Sequence, residues 1–172
     1  MEPKVTLETT AVRVWKHLSR EERVAAATGF WLEPPELVVG GAIAAIVKAR
    51  HLRPQVARSL PPEARAQALA GVLDPGEAVA SALLVALHLG ERRRMLVTFL
   101  DAVGLPHEEG VLKEDEASLP PPVTDDAAAA GVRALAQAYP RSQVETYLNT
   151  LWLQDPERWA ALNKAEAWLP AQ

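Results

Sequence analysis

The chain has 172 residues, 49% apolar and 23% charged, with a net charge of −4 and an isoelectric point near 5.6. That is enough apolar material to build a core. The acidic balance argues against a general nucleic-acid binder, which needs a basic face to neutralise phosphates. With no cysteine, disulfides, thiol nucleophiles, iron–sulfur clusters and cysteine-ligated zinc are all excluded, and the composition fits a reducing cytoplasm.

The apolar share is weighted towards Ala, Leu and Val, with only two Phe and two Tyr. Ala and Leu are the strongest helix formers, and the aromatic and β-branched enrichment that strands prefer is weak. The opening "MEPKVTLETT" has no basic segment followed by an apolar one, so it does not read as a signal peptide. Two uncharged runs, 37–47 and 78–90, fall short of the ~20 residues that cross a bilayer and read as buried helices.

In chain order, the first helix is expected from about Thr10 to Leu18. "SREE" then places Glu22 three residues after Ser19, a capping box that opens a second helix ending near Gly29. The prolines of "FWLEPP" forbid continuation. From Pro35 to His51 the sequence is apolar nearly all round, as in a helix packed on several sides. Gly40 and Gly41 inside it each cost up to ~1 kcal/mol against Ala, a cost that close approach of a neighbouring helix would offset.

"RPQVARSL", "PPEARAQALAGVL" and "DPGEAVASALLVALHLG" read as three more helices, with Pro in the first turn and Gly at the exits. "ERRRMLVTFLDAVG" stops at Gly104. The acidic, proline-rich "KEDEASLPPPVTDD" reads as an extended connector. Thr124 or Asp125 caps the helix through "AAAAGVRALAQAY", and "RSQVETYLNTLW" carries an amphipathic stripe of Val144, Tyr147, Leu148, Leu151 and Trp152. "QDPERWAALNKAEAWL" follows, with Asp155 as cap and Pro156 at the first helical position.

The expected fold is all-α, with about eight or nine antiparallel helices. The expected organisation is a main lobe over residues 1–112, a connector over 113–123, and C-terminal helices over 124–172 packed on that lobe. A weak internal repeat offers a superhelical array of helix pairs as one arrangement. Residues 14–29 match 56–71 at Val, Leu, Glu, Arg, Ala and Gly with an offset of 42, while 44–52 match 81–89 with an offset of 37.

His107 stands beside Glu108 and Glu109, with Asp101 upstream. Adjacent turn residues do not converge on one ion, and no second histidine follows at helical spacing, so an exposed turn is the simpler reading. His51 and His88 fall near helix ends, where a histidine meets free carbonyls. Arg92, Arg93 and Arg94 begin a helix against the dipole's preference, a pattern that suits an anion or an acidic partner, or stems lying on the surface. Trp152, Trp159 and Trp168 cluster near the end. Trp152 reads as core, and Trp168 as core or as part of a binding face.

No spacing assembles a nucleophile, base and orienter, and no phosphate-binding glycine motif is present. The expected function is therefore a non-catalytic, cytoplasmic adaptor that binds another protein, with no cofactor, metal, nucleic acid or membrane. Arg92, Arg93, Arg94 and Trp168 are its candidate contacts. The alternative is an enzyme or a metal- or small-molecule-binding protein with a pocket between helices, using His51, His88 or His107.

Overall fold

The computed structural model describes residues 10–114 and 121–165. Helix accounts for 71% of these residues, in ten helices, and one two-stranded hairpin is the sole sheet among them. The protein is all-α. No described helix is long and apolar enough to cross a membrane. The chain divides into two compact units, Thr9–Glu91 and a second from Arg92 onward.

The first unit holds α1 (Ala11–His17), α2 (Arg20–Leu32), α3 (Glu36–Arg50), α4 (Pro54–Ser59), α5 (Pro62–Ala70) and α6 (Glu77–Leu89). The capping box is complete: the Ser19 hydroxyl accepts from the Glu22 amide at 3.1 Å, and the Glu22 carboxylate accepts from the Ser19 amide at 2.7 Å. α2 runs past Gly29 to Leu32. Gly29 does not end the helix because it serves packing. A Cβ there would lie 3.2 Å from the Ala86 carbonyl of α6, so a larger residue would push the two helices apart by a few tenths of an ångström.

The first unit has two halves of like helix order, α1–α3 and α4–α6. Each half opens with a short helix, turns a two-residue corner and continues in a second helix. The corners share their backbone: Leu18 and Leu60 at φ −67°, ψ 146° and φ −59°, ψ 141°, followed by Ser19 and Pro61 at φ −64°, ψ 162° and φ −55°, ψ 151°. α2 lies against α5 and α6, α1 against α6, and α3 against α4, α5 and α6. Exchanging the halves leaves this set of pairings unchanged. Because α6 returns onto α1 and α2, the unit is closed, whereas a superhelical array would pack each element only on its neighbours.

Matched residues also do matched work. Arg23 of α2 donates to the Ala70 carbonyl at the end of α5, at 2.9 Å. Its counterpart Arg65 of α5 lies 4.9 Å over the Trp31 ring near the end of α2. α2 is four residues longer than α5 (13 against 9), and the loop before α6 is longer than the one before α3. α3 and α6 begin at Glu36 and Glu77, so the match of 44–52 with 81–89 at an offset of 37 is not the register of the two helices.

Three further long-range hydrogen bonds close the unit. The Glu77 carboxylate accepts from the free amides of Ala11 and Val12 at 2.9 and 3.1 Å, capping α1 from 66 residues away. The buried Trp15 indole donates to the Val72 carbonyl at 2.8 Å.

The second unit holds α7 (Arg93–Val103), the hairpin β1 (His107–Glu108) and β2 (Val111–Leu112), α8 (Asp125–Ala138), α9 (Arg141–Gln154) and α10 (Leu162–Ala165). Thr124 caps α8 by accepting from the Ala127 amide. α8 packs on α7 with Gly131 at the crossing, where a Cβ would come within 2.6 Å of Phe99 and 2.7 Å of Val103. Phe99 meets Tyr147 edge-on at 5.3 Å and Trp159 at 5.5 Å, and all three rings are buried.

The helix expected from Pro156 does not form. Residues 156–161 make turns, closed by bonds such as the Leu162 amide to the Trp159 carbonyl, and α10 starts only at Leu162. The tighter turns let both Trp159 and Leu162 face the core. Of the expected connector, residues 115–120 lie outside the described part. Beyond them, the Val123 amide donates to the Arg158 carbonyl at 3.0 Å.

Candidate functional site

His107 is fixed by its own hairpin. Glu109 and Gly110 adopt positive φ, 49° and 87°, the two central residues of a type I′ turn. The Gly110 amide donates to His107 Nδ1 at 3.1 Å, and His107 Nε2 lies 2.7 Å from Asp101 Oδ1. Since Nδ1 accepts, the ring proton sits on Nε2 and is donated to Asp101. Both nitrogens are thereby occupied, and the His-Glu-Glu stretch is a hairpin tip tied back to α7. The expected turn is present, with two short strands added.

His51 and His88 belong to the first unit. His88 is buried at 2% exposure, its Nδ1 2.7 Å from the Leu84 carbonyl one turn back. His51 is exposed and caps α3 through its backbone, at φ 53° in the left-handed region. Among the described residues no three His, Asp or Glu side chains gather as a metal site.

The three arginines take different surroundings. Arg92 is the N-cap residue of α7 and is half-buried, whereas Arg94 is exposed. Arg93 reaches the hairpin, 3.5 Å from the Glu109 carbonyl and 3.8 Å from its carboxylate. Trp159 belongs to the core and Trp152 is half-buried. Trp168 lies outside the described residues.

The least ordinary surface is on α3. The sequence suggests a helix packed on several sides; the structure packs only one side, through Ala42, Ile43 and Ile46. The opposite side presents Leu37, Gly40, Ala44 and Lys48, all exposed, at the i, i+3, i+7 and i+11 positions of one helix face. Leu37 is 99% exposed, and Leu32, across the α2–α3 corner, is 83% exposed. Gly41 approaches a neighbour as expected, its would-be Cβ lying 3.2 Å from Val79, but a Cβ on Gly40 would meet nothing within 4 Å.

The two like halves provide an internal control. Glu36 and Glu77 open α3 and α6, and in that register Gly40, Ala44 and Lys48 correspond to Ser81, Val85 and Leu89, all half-buried, while Leu37 corresponds to exposed Ala78. Past the first turn, the same face is thus bare in one half and partly covered in the other, and only α3 carries a large apolar side chain at the exposed first-turn position. Comparison with known protein families, curated proteins and solved structures gives no match.

Proposed function

We propose that this chain is a helical protein-interaction module, working by binding rather than by catalysis, and that it docks its partner on the exposed face of α3. One observation carries the reading: a fully exposed leucine continues into a flat strip of glycine and alanine on a regular helix. Burying a leucine side chain is worth about 1.5–3 kcal/mol, and nothing within the first unit supplies that burial. Small residues let a second backbone come close, which increases the contact made per turn of helix. A protein partner fits such a strip better than a small ligand, which needs a concave pocket.

The lack of cysteine makes the test clean, because any introduced thiol is unique. Ala44→Cys places a thiol on the α3 face, and Ser142→Cys places one on an exposed position of α9. The expected result is that the Cys variant at 44 is labelled more slowly in an extract of the producing cells than as dilute purified protein, while the variant at 142 is labelled equally in both. Equal labelling at both positions would overturn the proposal.

A further inference from the structure

The α3 face is self-complementary, and we infer that it pairs antiparallel with the α3 face of a second copy of this chain. The inference rests on the docking reading above and names the partner. Glu36 stands at the start of α3, and Lys48 and Arg50 at its end. None of these three side chains makes a hydrogen bond or ion pair within the described chain.

A two-fold axis crossing the exposed face midway between Gly40 and Ala44, on the side away from buried Ala42, gives the main features of that face suitable partners. Glu36 of one copy meets the Lys48–Arg50 end of the other, Leu37 meets Val47 and the Lys48 stem, and Gly40 meets Ala44. The small residues then fall at the crossing, where the backbones are closest, and opposite charges fall at both ends. A parallel pair would instead place Glu36 against Glu36 and Lys48 against Lys48, and like charges in register repel. Isologous pairing of this kind is also the commonest way in which a single chain closes an assembly.

A 15-residue helix is about 22 Å long, so the pair and its Leu32 corners form an interface at the small end of the stable range. Self-association in the micromolar range is therefore expected, not an obligate dimer.

Sedimentation velocity on the full chain should show monomer passing to dimer as concentration rises through tens of micromolar. Leu37→Glu should stay monomeric with an unchanged melting temperature. Register is read by disulfide trapping. Gly40→Cys mixed with Ala44→Cys should cross-link readily, since the axis sets these positions opposite each other. Each variant alone should cross-link poorly, because like positions are then offset by four residues, about 6 Å along the helix.

A chain that stays monomeric at every concentration overturns the inference, as does a dimer untouched by Leu37→Glu or one that traps like positions best. If the chain is monomeric but the thiol at 44 is still protected in extract, self-pairing fails and the docking reading stands. If that thiol is unprotected in extract as well, both fail.

Discussion

Two glycine-to-alanine changes should act with opposite sign, because the added methyl meets a packed ring at one position and open space at the other. In a helix interior, Ala is favoured over Gly by about 1 kcal/mol. At Gly40 nothing lies within 4 Å of the new Cβ, so Gly40→Ala keeps that gain. At Gly131 the new Cβ would sit 2.6 and 2.8 Å from Phe99 atoms and 2.7 Å from Val103. The Phe99 ring is hemmed in by Tyr147 and Trp159 and cannot swing aside, which puts the overpacking cost near the upper end of ~1–3 kcal/mol. Subtracting the helix gain leaves Gly131→Ala destabilised by about 2 kcal/mol. For a chain of this size that corresponds to a fall in Tm of about 4–8 °C, against a rise of about 2–4 °C for Gly40→Ala. Thermal unfolding at low micromolar concentration reads both without interference from association. A Gly131→Ala protein as stable as the Gly40→Ala one would refute the close α7–α8 crossing.

Glu77→Ala removes two charge-assisted bonds to the start of α1 and should cost about 1.5–3 kcal/mol in urea unfolding; an unchanged midpoint would contradict the remote cap. Gly110→Ala forces a side chain onto φ 87° with its Cβ 2.7 Å from Leu96, so it should destabilise the chain by at least about 1–2 kcal/mol, whereas Gly40→Ala stabilises it. Burial pushes the Tyr147 hydroxyl well above its usual range. Above pH ~10 the unfolded chain therefore releases a proton that the folded chain keeps, and stability falls as pH rises. That alkaline slope should be shallower in Tyr147→Phe, and an identical slope would count against the buried hydroxyl.

What could be read from the sequence was local. Ser19 with Glu22, Thr124, and Gly104 in the left-handed conformation at φ 82° act as their residue types suggest, because capping involves only the nearest turn. The likeness of the two halves was partly visible. The α1–α2 and α4–α5 corners align without a gap, but a four-residue difference in helix length and an unequal loop shift the register before α3 and α6. The hairpin at His107 was legible only as a turn, since two-residue strands are too short to show alternation.

The α3 face left no mark for a different reason. Exposed Leu37, Gly40 and Ala44 carry no charge that would distinguish them from buried Ile43 and Ile46. A helix apolar all round reads as buried, and only the tertiary packing reveals that one side was never covered. The arginines show the converse. Three in a row read as one basic patch, yet Arg93 is drawn to Glu109 across 16 residues, a partner that only the folded hairpin brings near.

The labelling rate of a thiol at position 44, measured on purified protein from sub-micromolar to hundreds of micromolar, is the sharpest probe of whether α3 is covered by a second copy. Pairing through α3 predicts progressive protection with rising concentration, abolished by adding Leu37→Glu, while a thiol at position 142 reacts at one rate throughout. A rate at position 44 that does not depend on concentration would contradict pairing through α3.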